Sequence, residues 1–315
     1  MSAAKVTLGR RLFHETRLSI SRGYACDSCH RPELAFTDAR AHAVGVGGET
    51  LRHGAMSLTN VAYNPSFTWS DPTVRSLESQ MRRPLFNQHP VEMGLQGDGH
   101  AAVAALSADL SYRELFAAAF PGDAAPLSMD HIIKAIAAFE RTLISGRSAF
   151  DRYVFDDDRT ALSDSAKRGM ALFFSPRAGC AQCHSGLNFS GPLAYEGHAA
   201  ERAMFADTGL YDVDGRGGYP ENDRGLIDVT HRAADMGKFR VPTLRNVALT
   251  GPYMHDGSVP SLEEVIDHYA RGGHRSARQD AKVRPLSLTR ADRGDLLAFL
   301  QSLTDREFVD DPRFR

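Results

Sequence analysis

The chain has 315 residues, 42% of them hydrophobic and 24% charged, the balance of a globular protein with room for two domains that each build a core. Its formal net charge of −2 leaves no field of one sign to draw in nucleic acid or an anionic membrane surface. No apolar run approaches the roughly 18 residues that a membrane span needs.

In chain order, MSAAKVTLGRRLF enters a helical pattern almost at once and holds no apolar stretch long enough for a signal peptide. This helix carries Gly9-Arg10-Arg11-Leu12-Phe13 and leads to Cys26-Asp27-Ser28-Cys29-His30. Residues 101–119 are rich in alanine and leucine and read as helix. Ile132, Ile133, Ile136, Phe139 and Leu143 recur at helical spacing after a start signal near Ser128. The polar stretch 145–160, with Ser145-Gly146 and Asp156-Asp157-Asp158, is the expected domain linker. A second short helix, 162–174, carries Gly169-Met170-Ala171-Leu172-Phe173 and leads to Cys180-Ala181-Gln182-Cys183-His184. Residues 185–260 are rich in glycine and proline and are expected to form long ordered loops around this second motif. Helices at 261–271 and 288–303 follow, and strand-like alternation is scarce. Two copies of one helix–turn–motif unit imply an internal duplication. The expected fold is all-α, with two cytochrome c-like domains over 1–155 and 156–315 and long ordered loops.

The chain has four cysteines, and all fall in the two C-x-x-C-H motifs. That spacing is the attachment signature of c-type haem. Two thiols reach the vinyl groups of one porphyrin, and the next histidine is placed below the iron. Cys26 and Cys29 are thus expected to hold one haem with His30 as ligand, and Cys180 and Cys183 a second with His184. A four-cysteine zinc site needs no histidine after each pair, and a redox dithiol belongs to a strand–helix context that neither motif has. Haem attachment of this kind takes place outside the bacterial cytoplasm, so the protein is expected in the periplasm, its leader absent from this sequence. Every thiol is used, so no disulfide is expected.

Further motifs resemble those of the bacterial di-haem cytochrome c peroxidases and their MauG relatives. They are Ala35-Phe36-Thr37-Asp38, Pro90-Val91-Glu92-Met93, Val241-Pro242-Thr243-Leu244-Arg245-Asn246 and Pro252-Tyr253-Met254-His255-Asp256-Gly257. Together with the haem motifs the resemblance covers nearly the whole chain. Met56-Ser57-Leu58-Thr59-Asn60-Val61-Ala62-Tyr63 and His89-Pro90-Val91-Glu92 are most similar to the MbnH branch.

The resemblance implies site residues. In classical members a histidine about 16 residues after the first haem histidine closes the first iron. Here that position is near Val46, with His42 and His53 close by, and the first haem is expected to stay open to peroxide. Glu92 matches the family's distal acid and Gln80 its hydrogen-bonding partner. Where classical peroxidases place a methionine ligand to the second iron, the count from His255 reaches Tyr269, as in MauG-like enzymes; Met254 is a rival in the preceding loop. Trp69, the only tryptophan, matches the residue that carries charge between the haems. A calcium ion is implied at Thr250 and Pro252, with Gly54 where the family has an asparagine ligand. Ala178 replaces a surface tryptophan that relays electrons in MauG.

The implied function is oxidation driven by hydrogen peroxide. Glu92 and Gln80 assist O–O cleavage, a bis-Fe(IV) state stores both oxidising equivalents, and a tryptophan in a periplasmic partner protein is oxidised by long-range electron transfer. Two alternatives remain open: a peroxidase supplied with electrons by a small cytochrome, and a non-catalytic electron carrier.

Overall fold

Small hydroxyl residues start most of the helices. Ser2, Ser76, Ser128, Ser148, Ser163, Ser261 and Thr289 each accept a backbone N–H three residues on, which satisfies a donor the helix cannot. The computed structural model describes residues 1–198 and 202–315. It is mostly helical, with one short antiparallel pair of strands, β1 (Phe205–Asp207) and β2 (Lys238–Arg240), among its described residues.

The chain divides into two compact units that interleave in sequence. The first comprises residues 1–62, 75–144 and 309–315, and the second residues 63–74 and 145–308. The change-over after residue 144 falls at the start of the polar stretch 145–160.

In the first unit, α1 (Ala3–Phe13) packs across α5 (Met129–Glu140), with α2 (Leu77–Phe86), α3 (His100–Ser107) and α4 (Leu110–Ala119) around them. The helix expected over 101–119 is two helices. The first closes at Ala108, and Asp109 caps the second by accepting from the Ser111 N–H. The α1–α5 crossing is close because Gly9 has no side chain. A Cβ there would lie 1.9 Å from the Ala135 carbonyl oxygen. Phe13 and Phe139 then meet edge to face, their ring centroids 5.2 Å apart.

The second unit repeats this device. It holds α6 (Ala149–Phe155), α7 (Asp164–Phe173), α8 (Ile227–Thr230), α9 (Leu262–Arg271) and α10 (Arg290–Ser302). A Cβ on Gly169 in α7 would lie 1.8 Å from the Asp295 carbonyl oxygen in α10. Phe173 and Phe299 follow with centroids 5.0 Å apart. The α6 helix lies inside the stretch read as linker. Its Ser148 and Asp151 form a reciprocal capping box, and Phe150 is buried against Phe189 and Phe299.

The 185–260 region is mainly loop, pinned by buried polar contacts. Arg245 is fully buried and pairs with Asp151 through two bonds of 2.8 and 3.0 Å, while its Nε donates to the Leu187 carbonyl at 2.7 Å. Arg245 of the Val241–Asn246 motif thereby ties the loop after the second haem motif to α6.

Candidate haem sites

Each C-x-x-C-H segment folds into the same tight turn. In the first, the N–H groups of Cys29 and His30 donate to the Cys26 carbonyl at 3.2 and 2.9 Å. In the second, Cys183 and His184 donate to the Cys180 carbonyl at 3.2 and 2.9 Å. The four thiols are half-buried and unbridged. Burial pushes the pKa values of Cys29 and Cys180 up to about 11 and raises those of Cys26 and Cys183. Neutral thiols are poor redox nucleophiles. Among the described residues, no group of three or more His, Cys, Asp or Glu side chains is arranged to hold a metal ion.

The two histidines are oriented alike. His30 Nδ1 lies 2.9 Å from the Phe36 carbonyl oxygen, and His184 Nδ1 lies 2.7 Å from that of Phe189. A carbonyl only accepts, so each Nδ1 carries the proton and each Nε2 keeps its lone pair for a metal. Burial lowers both imidazole pKa values, which favours the neutral, ligating form. Phe36 and Phe189 present these carbonyls from the left-handed region, at φ 64° and 53°. That conformation is uncommon for a bulky side chain, and both rings are buried, which holds the strained backbone in place. Free thiol pairs, a fixed donor nitrogen and apolar packing fit a covalently attached haem in each unit.

Around the first motif, Glu92 is half-buried, and burial raises its carboxyl pKa. Its charge reaches the Cys29 thiol, so the side chain lies on the same side of the unit as the haem turn. The Val46 N–H donates to the Glu92 carbonyl at 2.8 Å. Val46 is therefore clamped beside Glu92, and its side chain offers no lone pair. His42 is exposed, its Nδ1 2.9 Å from the Arg52 carbonyl, and His53 is half-buried. Gln80 sits half-buried on α2, its N–H bonded to the Ser76 carbonyl at 3.0 Å.

Two further carboxyls lie near this motif, one inside a motif the sequence already marked and one in a helix it read as apolar. Asp38, in Ala35-Phe36-Thr37-Asp38, is buried, and its charge acts on His30 and Cys29. Glu140 is buried at the end of α5, and its charge acts on Cys26. A glutamate inside the apolar periodicity of 132–143 was the available signal for Glu140.

Around the second motif, Tyr269 lies near the C-terminal end of α9. Burial raises its phenol pKa well above the usual range, and both Cys183 and Cys180 add to the rise. Tyr269 thus stands within electrostatic reach of both attachment thiols, yet the chain by itself favours the protonated phenol. Deprotonation would have to be driven by a bound cation. Met254, the rival ligand, packs with Trp69 against an apolar cluster of Leu210, Tyr219 and Phe239. The Trp69 carbonyl accepts from the Arg240 N–H at 2.7 Å.

Thr250 caps the short helix Val247–Leu249 and donates its hydroxyl to the Val247 carbonyl at 3.2 Å, with Pro252 two residues on. At Gly54 a Cβ would meet the Arg40 carbonyl oxygen at 2.2 Å, so this backbone has no room for an asparagine. Ala178 is buried within the aromatic core of the second unit.

A helix pair crossing at a glycine, a C-x-x-C-H turn and a carbonyl-oriented histidine, present twice, define a tandem c-type cytochrome. The di-haem cytochrome c peroxidase model matches residues 3–159. The methylamine utilization protein MauG of Methylorubrum extorquens is 36% identical over 305 residues, covering 96% of this chain and 79% of that protein. Cytochrome c551 peroxidase of Pseudomonas aeruginosa is 31% identical over 300 residues, covering 95% of this chain and 78% of that protein. The crystal structure of a MauG-like protein associated with microbial copper homeostasis superposes with a TM-score of 0.96 at 42% identity, covering all of this chain and 93% of that one. The chain belongs to the di-haem cytochrome c peroxidase family, whose members carry two c-type haems and use peroxide. No helix among its described residues is long and apolar enough to cross a membrane.

Proposed function

We propose that this protein uses hydrogen peroxide to oxidise a tryptophan side chain in a periplasmic partner protein. The observation that carries this reading is an asymmetry in what this chain offers the two irons. A valine, clamped beside Glu92, stands where a closing histidine would be, and a tyrosine stands at the second attachment turn. When bound, the haems would supply two irons that exchange single electrons; His30 would hold the first, and His184 with Tyr269 would hold the second, where an oxygen donor would favour high oxidation states.

The protein's own residues do the rest. His30 and His184 ligate through Nε2, held by the Phe36 and Phe189 carbonyls. Glu92 takes the proton from one peroxide oxygen and returns it to the other, the transfer that heterolytic O–O cleavage requires. Burial favours the protonated form of Glu92 and so helps it give the proton back. Gln80 orients the peroxide by hydrogen bonding. Tyr269 would hold the second iron through its phenol oxygen, and Trp69 would relay charge. Likeness to the MauG-like protein associated with copper homeostasis supports a partner that serves copper handling.

Likeness to cytochrome c551 peroxidase supports a second reading, a peroxidase fed by a small cytochrome. One experiment separates the two. Peroxide is added to the fully oxidised holoprotein and the near-infrared is followed. A long-lived band without prior reduction is expected. A reaction that starts only after half-reduction would favour the second reading and overturn the first.

A further inference from the structure

The two helix crossings keep one register. Gly9 meets the Ala135 carbonyl and Gly169 that of Asp295, and each carbonyl is followed four residues on by the ring of Phe139 or Phe299. The next residue is Glu140 in the first unit and Leu300 in the second. They are 7% and 8% exposed. The fold therefore fills this buried position with leucine in one copy, and the carboxyl in the other is not there for packing.

Glu140 has one cation near it, and that cation is already engaged. Its Oε2 is buried and has no hydrogen-bond partner. Arg141, the adjacent cation, is clamped by Glu78 of α2 through bonds of 2.8 and 2.9 Å. The groups whose fields reach Glu140 are Arg141 and Glu78, and α1 meets α5 through Gly9 and Phe13. On the haem turn, the nearby titratable group is Cys26, whose thiol pKa the Glu140 charge raises. Burial pushes the Glu140 carboxyl up to about 8, so small changes in nearby charge switch its protonation near neutral pH.

We propose that Glu140 is a redox-linked proton site of the first haem, binding one proton when that haem gains an electron and releasing it when the electron leaves. The proposal rests on the reading of Cys26, Cys29 and His30 as a haem attachment site and not on the identity of the substrate. An added electron removes one positive charge from the neighbourhood of a desolvated carboxylate, which raises its proton affinity. The electron comes from an external one-electron donor and the proton from water. The O–H bond forms at the Glu140 carboxylate on reduction and breaks on oxidation.

The test is the midpoint potential of each haem in the intact di-haem protein, measured with small redox mediators on both sides of neutral pH. The first-haem potential of the wild type is expected to fall as pH rises. Glu140→Gln should flatten that fall, and so should Glu140→Leu, which installs the side chain the second unit already tolerates. The second haem should keep its wild-type slope in both variants. Redox-difference infrared spectra should show a protonated carboxyl band on reduction in the wild type and none in Glu140→Gln. An unchanged first-haem slope in both variants, or a carboxyl band that survives Glu140→Gln, overturns the proposal. Peroxide added to the same samples reads the proposed function separately, since a missing near-infrared band with an intact Glu140-dependent slope removes that reading and upholds this one.

Discussion

Replacing Glu92 by glutamine removes a proton carrier and little else. The Val46 N–H bonds to the Glu92 backbone carbonyl at 2.8 Å, so the substitution leaves the loop clamp intact. The side chain keeps its size in a half-buried position, and no side-chain ion pair is broken. What is lost is acid–base assistance, worth about a hundredfold to ten-thousandfold, or roughly 3 to 5 kcal/mol of barrier. Stopped-flow measurement of the second-order reaction of the holoprotein with peroxide reads this directly. The pH profile adds a signed check. Proton abstraction needs the carboxylate, so the wild-type rate should rise with pH through a value above the ordinary 4.5 and then level off. The glutamine variant should be slow and flat across the same range. A variant rate within about threefold of wild type, too small for general acid–base catalysis, would remove Glu92 from the proton transfer.

Tyr269→Phe should leave both haems attached, since the cysteines and histidines are untouched, yet abolish the long-lived near-infrared band after peroxide; full retention of the band would remove Tyr269 from the mechanism. Gly169→Ala should lower stability by about 1–3 kcal/mol, because a Cβ 1.8 Å from the Asp295 carbonyl forces α7 and α10 apart. Thermal melting checks this, and a stabilised variant, as helix propensity alone would give, would contradict the close crossing. Arg245→Met leaves Asp151 buried opposite an uncharged partner and should cost about 3–5 kcal/mol in denaturant unfolding.

The sequence was most legible where a residue type has one structural use. The C-x-x-C-H spacing and the repeated Gly-x-x-Leu-Phe marked a duplicated helix–turn–motif unit, and in each copy the glycine stands at a close helix crossing with the phenylalanine one turn on. Ser128 was read as a helix start, and its side chain accepts from the His131 N–H. Other features depend on long-range contacts that no local pattern carries. The α6 helix hides in a polar stretch because its stability comes from a capping box and from the Asp151–Arg245 pair, 94 residues apart. Residues 63–74 belong with the second unit although they precede most of the first. Asp38 stood in a marked motif without a role, and Glu140 stood in none; only folding brings their charges to the first C-x-x-C-H turn.

Electron paramagnetic resonance of the fully oxidised holoprotein tests the central claim most directly, because the account requires unlike irons. It predicts one high-spin signal from the His30 iron, and one low-spin signal that changes on Tyr269→Met and is unaffected by substitution of Met254. Two low-spin signals, or a second iron indifferent to Tyr269, would contradict it.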